Sequence, residues 1–202
     1  MVIIYNKILS KSFKLFKSIP SYNFKINPDK DLFNKKVCDA MIKQQSQTVL
    51  MCDGKYMRST QACKEIGIKC NNITTIECDP KLSQSHKKRG VQSINMRAEE
   101  LFVRPNNNKS YDTINLDVVS SPITISKYIA SIFSKSYLSP KSVFAFTVTK
   151  RTGRTGGKFN PQFRQLKKKI NSVSKEYGYK LKIHSTHSQK KVESIIYLVN
   201  KI

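Results

Sequence analysis

Residues 48–80 constrain the fold of this chain more than any other stretch. An apolar run, Val49-Leu50-Met51-Cys52, stops at Asp53-Gly54, a helix-forming segment follows, and a second run, Ile73-Thr74-Thr75-Ile76, ends at Glu77. A buried strand, a tight turn, a helix and another strand closed by an acid roughly 20 residues on is how a nucleotide-like ligand is gripped. Turn amides hold one end and a carboxylate holds the ribose hydroxyls.

Strand and helix signals alternate through the rest of the chain. A helix is expected over 32–45, with Leu32, Phe33, Val37, Cys38 and Met41 on its buried side, then the strand over 49–52 and a helix over 60–66 stopped by Gly67. The strand over 73–77 precedes a short helix over 82–88, a weaker strand over 91–95 and a helical turn over 98–102. Next come a strand over 111–117 ending in Asp117, a helix over 125–136, a strand over 142–149 and a lysine-rich helix over 163–177 stopped by Gly178. Two final strands, 180–185 and 194–200, are joined by a short polar connection that suits an antiparallel pair. The expected fold is therefore α/β and Rossmann-like: three layers around a mostly parallel seven-stranded sheet with an antiparallel last strand. This domain spans 32–202, after an N-terminal helical extension and linker over 1–31.

Residues 1–28 contain no acid, carry Lys7, Lys11, Lys14, Lys17 and Lys25, and place Tyr5, Ile8, Leu9, Phe13 and Phe16 on one helical face. Such a basic amphipathic helix suits an organelle-targeting segment, a membrane-surface or nucleic-acid arm, or packing on the core. The whole chain has 37 Lys+Arg against 13 Asp+Glu, a net charge of +24, which draws polyanions and makes nucleic acid the leading partner, RNA ahead of DNA. Lysine far outnumbers arginine, and Asn and Ile abound, the usage of an AT-rich coding sequence; the scarcity of acids adds to the charge independently.

Five cysteines, Cys38, Cys52, Cys63, Cys70 and Cys78, form no C-x-x-C pair and read as reduced thiols of an intracellular protein. The cytoplasm is the expected compartment, with a virion or mitochondrion as further settings. No apolar run reaches the roughly 18 residues that a membrane span requires. His184-x-x-His187 has ligand-like spacing, but three residues apart on a strand point to opposite faces, so no metal is expected.

In open sheets of this kind, ligands sit beyond the carboxyl ends of the strands. This sequence places Asp53-Gly54, Glu77, Asn95-Met96, Asp117 and Thr149-Lys150-Arg151 there. With those residues in place the chain resembles the class I S-adenosylmethionine-dependent methyltransferases from about Val37 to its end. The resemblance implies S-adenosyl-L-methionine as cofactor. It gives Asp53-Gly54 to the methionine portion, Glu77 to the ribose hydroxyls, Asn95, Met96 and Arg97 to the border of the adenine, and Asp117 to cofactor and substrate. Family members carry a glycine-rich turn after the first strand; here Gly54 stands alone before Lys55-Tyr56-Met57-Arg58-Ser59-Thr60, of which Arg58, Ser59 and Thr60 supply polar contacts and a helix cap.

The resemblance makes Asp117 and Lys150 the catalytic candidates, Asp117 as the base or acceptor-orienting group. Asp117-Val118-Val119-Ser120 departs from the Asp/Asn-Pro-Pro-aromatic pattern of the amine-methylating members, and no cysteine follows the strand for a covalent mechanism. Lys36 or Lys43, Asp117, Lys150 and Glu193 fall in the order of the lysine-aspartate-lysine-glutamate set that resembles ribose 2′-oxygen methyltransferases. The basic loop over 149–158, with Lys150, Arg151, Arg154 and Lys158, suits phosphates, and Arg164 and Lys168 extend it along the next helix. It lacks the Walker pattern, because Phe159 follows Gly157-Lys158. Two functions follow as expectations: a methyltransferase acting on nucleic acid, or a catalytically inactive protein of the same fold that serves as a basic nucleic-acid-binding component of a ribosome-like particle or virion.

Overall fold

Parallel strands need crossovers, and helices supply them here. The computed structural model describes residues 28–106, 109–149, 161–188 and 192–202. The elements are α1 (Pro28–Gln44), β1 (Val49–Cys52), α2 (Arg58–Glu65), β2 (Ile73–Ile76), α3 (Pro80–Lys88), β3 (Gln92–Ile94), α4 (Ala98–Val103), β4 (Tyr111–Ser120), α5 (Pro122–Ser134), β5 (Leu138–Thr149), α6 (Pro161–Glu176), β6 (Tyr179–Ser188) and β7 (Val192–Lys201). The amphipathic segment expected over 1–28 and the basic loop residues Lys150, Arg151, Arg154 and Lys158 lie outside the described residues, apart from Pro28 itself.

The seven strands run in the order β3-β2-β1-β4-β5-β7-β6. β1 pairs in parallel with β2 on one side and β4 on the other, Val49 standing opposite Ile73 and Thr113. The last strand, β7, lies antiparallel between β5 and β6, as the sequence predicts. The chain steps outward from β1 to β3 and then returns to lay β4 beside β1. This reversal is the switch point at which open α/β sheets leave a crevice.

Period-two alternation sorts the strand residues between two cores. Leu50, Ile114, Leu116, Phe144, Phe146, Ile195 and Tyr197 pack with Phe102, Ile129, Phe133, Leu166 and Ile170 of α4, α5 and α6. Val49, Met51, Ile73, Val143, Ala145 and Ile196 pack with Phe33, Val37, Ala40 and Met41 of α1 and Cys63 of α2. The rings are layered as well as buried: Phe133 sits 6.1 Å from Phe144 and 5.4 Å from Tyr179, centroid to centroid. Each such side chain contributes about 1.5–3 kcal/mol through burial.

A carboxylate fixes the entry to the sheet. Asp112 Oδ2 accepts from the amides of Gln47 at 2.9 Å and Thr48 at 3.0 Å and from Thr48 Oγ1 at 3.0 Å, tying the start of β4 to the approach to β1. Burial pushes its pKa up, but the bonds from Gln47, Ser139 and Thr48 outweigh this and hold it below the ordinary aspartate value.

The structure corrects the sequence reading at several points. α1, α3, α5 and α6 all begin at a proline, Pro28, Pro80, Pro122 and Pro161, two to four residues ahead of the helix starts expected from apolar periodicity. Proline has the φ that the first helical turn requires and lacks the amide that this turn leaves unpaired. Asp79 caps α3, accepting from Lys81 N at 2.8 Å, and Ser121 caps α5, accepting from Thr124 N at 3.2 Å. Leu32, expected on the buried side of α1, is 45% exposed.

The two histidines of β6 do not face opposite ways. β6 slips register between Ile183 and Ser185, so that His184 is an extra residue, and a bulge of this kind re-aims side chains. His187 Nε2 lies 4.0 Å from Asp29 Oδ1 near the start of α1. His184 stands by Asp39 and Lys43 near its end; burial and then Lys43 hold its pKa below the ordinary value. Roughly 15 Å of helix separates Asp29 from Asp39, and among the described residues no group of three His, Cys, Asp or Glu side chains is placed to hold a metal ion.

Candidate active site

A cleft of about 690 Å³ opens at the carboxyl ends of the strands, and Asp53, Gly54, Glu77, Met96 and Asp117 all line it. The walls come from β1, β2, β4, β5 and β7 and from the first turns of α1, α2 and α4. These residues chosen from the sequence are therefore brought together, and Arg58 and Arg97 join them on the lining. Asn95 is not among the lining residues; it is exposed, and its side-chain amide donates to the carbonyl of Glu77 at 2.9 Å, so it pins the end of β2. Arg164 and Lys168 stand exposed one turn apart on α6, outside the cleft lining.

On the β1–β2 side the acids are held by their own loops. Asp53 is 7% exposed; its Oδ1 accepts from Gly54 N at 3.1 Å and its Oδ2 from Thr60 N at 2.8 Å. α2 needs that second bond, because the residue at its N-cap, Met57, has no side-chain acceptor and adopts the left-handed conformation with φ 50° and ψ 40°. Asp53 thus caps the helix from seven residues upstream and satisfies an amide that would otherwise lack a partner. A Cβ built on Gly54 would meet nothing within 4 Å, which leaves open space where the loop borders the cleft. Glu77 Oε1 accepts from Asp79 N at 2.9 Å.

The β4 side is built differently. Asp117 forms an ion pair with Lys30, the third residue of α1, and the two side chains are 10% and 20% exposed. Burial holds the pKa of Lys30 below the ordinary lysine value, partly opposed by the negative charge of Asp53. Beside them Thr147 Oγ1 and Ser194 Oγ, both buried, lie 2.9 Å apart and join β5 to β7 on the cleft wall. The first turn of α1 is tied at three points: Asp29 approaches His187, Lys30 meets Asp117, and Asp31 accepts from Arg58 at 2.6 Å.

The lysine-aspartate-lysine-glutamate set is not assembled by the described residues. Lys36 Nζ donates to Thr186 O at 3.0 Å on β6, and Lys43 sits near His184 at the other end of α1. Glu193 stands opposite Val148 in the ladder. It therefore shares the sheet face of Val148, which belongs to the α5–α6 core, whereas its neighbours Val192 and Ser194 line the cleft with Asp117. The lysine that reaches Asp117 is Lys30, which the sequence reading leaves in a linker.

Cys52 also borders the cleft, but burial, reinforced by the charges of Glu77 and Asp53, pushes its thiol up to about 12. It stays protonated and is no nucleophile near neutral pH.

No protein-family model matches the sequence, and no curated protein does. Solved structures do match. Trm1 from Pyrococcus horikoshii, solved with S-adenosyl-L-methionine, aligns with a TM-score of 0.64 at 10% identity over 91% of this chain and 58% of that one. The fibrillarin pre-rRNA processing protein of Methanococcus jannaschii aligns with a TM-score of 0.60 at 15% identity, over 92% and 86% of the two chains. The N-methyltransferase NodS from Bradyrhizobium japonicum aligns with a TM-score of 0.60 at 8% identity, over 88% and 100%. Strand order, the antiparallel last strand and these likenesses together define the fold as that of the S-adenosylmethionine-dependent methyltransferases, in a sequence far diverged from them.

Proposed function

We propose that this protein transfers a methyl group from S-adenosyl-L-methionine to nucleic acid, RNA ahead of DNA. The observation that carries the reading is the convergence of three acids on one cleft. Asp53 and Glu77 directly follow β1 and β2, whereas Asp117, expected to end β4, lies within it where its pairing with β5 shifts register, three residues before the strand ends at Ser120. The cleft fits the cofactor in size, at about 690 Å³ within the roughly 300–1,000 Å³ usual for such ligands. It fits in chemistry too, since a carboxylate directly after β2 suits ribose hydroxyls. Glu77 would hold the ribose, the Asp53–Gly54 turn the methionine portion, and Met96 and Arg97 the adenine border.

The bound cofactor supplies an electrophilic methyl group for in-line displacement. The chain's own task is to align the acceptor and, where needed, take up its proton. Asp117 is placed to accept a hydrogen bond from the acceptor group. Lys30 fixes its orientation and offsets the unfavourable burial of a carboxylate at so closed a position. Thr147 and Ser194 add two hydroxyls to the same wall. The net charge of +24 supports a polyanionic substrate, with Arg164, Lys168 and the loop residues Lys150, Arg151, Arg154 and Lys158 as its phosphate contacts.

A second reading, the inactive scaffold of a ribosome-like particle or virion, draws on one observation: Lys30 already engages the carboxylate that would face the acceptor. Transfer of a radiolabelled methyl group to RNA and DNA separates the two. Incorporation by the wild type, falling about 100-fold or more in Asp117→Asn, supports the enzyme. Absence of incorporation into any nucleic acid by protein that still binds the cofactor contradicts the enzyme and supports the scaffold.

A further inference from the structure

The loop between β1 and α2 carries a second feature besides the cap from Asp53. Met57 N donates to Gly54 O at 2.9 Å, closing a four-residue turn whose corners are Lys55 and Tyr56. Met57 sits in the left-handed region, unusual for a side chain of this size, and is buried in the α1–α2 core. Such a conformation costs roughly 1–2 kcal/mol and persists only where the surroundings hold it. Packing of Met57 and the cap from Asp53 to Thr60 are those surroundings, so the two corner residues are presented rigidly. Tyr56 is 44% exposed and lines the cleft. Tyr111, Tyr128, Tyr137, Tyr179 and Tyr197 are buried, and Tyr177, also exposed, follows α6 away from the cleft lining. Lys55 Nζ lies 5.9 Å from the centre of the Tyr56 ring.

An exposed aromatic ring with a cation beside it, on a strained turn at the mouth of a cleft in a protein of charge +24, has the chemistry of a base-stacking platform. The ring offers a π-face to a nucleobase, and the ammonium stands near enough to meet that nucleotide's phosphate. Bases in a duplex have no free face, so an unpaired strand is the ligand this arrangement takes. We propose that the Lys55-Tyr56 turn stacks an unpaired base of single-stranded RNA as the strand enters the cleft. This rests on the nucleic-acid target proposed above.

Fluorescence anisotropy with a labelled single strand of about 12 nucleotides, within the usual site size, and with its duplex, tests it. The wild type is expected to prefer the single strand. Tyr56→Ala is expected to weaken single-strand binding about tenfold, and Tyr56→Phe, which keeps the π-face, to restore most of it. Lys55→Ala lowers the slope of log affinity against log salt by about 0.7. The titrations are run without cofactor, so that any contact of Tyr56 with the cofactor does not enter, and the melting temperature of the Tyr56 variants stays at the wild-type value. Unchanged RNA affinity in Tyr56→Ala overturns the stacking platform and leaves the methyltransferase reading standing. A wild type that binds no RNA overturns both the platform and the proposed target.

Discussion

The two sides of the cleft are built on different principles. Along β1 and β2 each acid is held by amides of its own loop: Asp53 by Gly54 and Thr60, Glu77 by Asp79. Along β4, Asp117 is held by Lys30, 87 positions earlier in the chain, through α1 packed across the sheet. The first side is local, so its carboxylates have structural tasks besides any ligand. The second depends on tertiary packing, so its pair can be lost without unfolding the loop that carries it. Removal of an acid is therefore expected to act on stability and cofactor affinity on the β1–β2 side, and on turnover on the β4 side.

The sharpest way to break this contrast is Asp117→Asn. Turnover is expected to fall about 100-fold or more, beyond what the stability lost by leaving the largely buried Lys30 without this partner accounts for; turnover kept at the wild-type level would make Asp117 a structural residue like Asp53. Asp53→Ala, at the opposite side, leaves two amides short of an acceptor and is expected to destabilise the fold by about 1–3 kcal/mol in chemical denaturation. Lys30→Gln leaves Asp117 without its cation and is expected to reduce turnover about tenfold, roughly 1.4 kcal/mol of barrier. Because burial holds the Lys30 pKa below the ordinary 10.5, the alkaline limb of the rate profile falls before that pH, and Lys30→Arg moves it upward.

A smaller effect tests the frame on which both sides stand. The pKa of Asp112 is depressed in the folded protein, so its stabilisation is present above the unfolded value of about 3.9 and is lost as pH falls through the folded value. Asp112→Asn should flatten the acid side of the melting-temperature profile. The Arg58–Asp31 pair is partly exposed, and Arg58→Ala is expected to change stability by less than about 1 kcal/mol.

The same contrast explains what the sequence revealed. The seven strands and the acids Asp53, Glu77 and Asp117 were legible, because apolar runs and the acids that follow them are neighbours in the chain, although β4 runs past Asp117 to Ser120. Asp53, Gly54, Glu77, Met96 and Asp117 reached the cleft for that reason. Helix starts were misplaced because apolar periodicity does not register a polar first turn begun by proline; Asp79-Pro80 and Ser121-Pro122 are cap-and-first-turn pairs, and Pro28 followed by Asp29 and Asp31 fits the same pattern at the positive end of a helix. Recognising that pattern would have put Lys30 on a helix, though not opposite Asp117, since no local signal encodes how α1 lies across the sheet. Glu193 could have been set aside by strand parity alone, one residue out of phase with the face that lines the cleft. The bulge at His184 had no such signal, because register slips arise from pairing with β7.

Isothermal calorimetry with S-adenosyl-L-methionine on the wild type, Glu77→Ala and Asp117→Asn tests the central claim, that Asp53, Glu77 and Asp117 divide one cleft between cofactor and acceptor. Saturable heat in the wild type, weakened at least about tenfold by Glu77→Ala and kept by Asp117→Asn, is the expected result. No heat with the wild type, or equal loss in both variants, would contradict it.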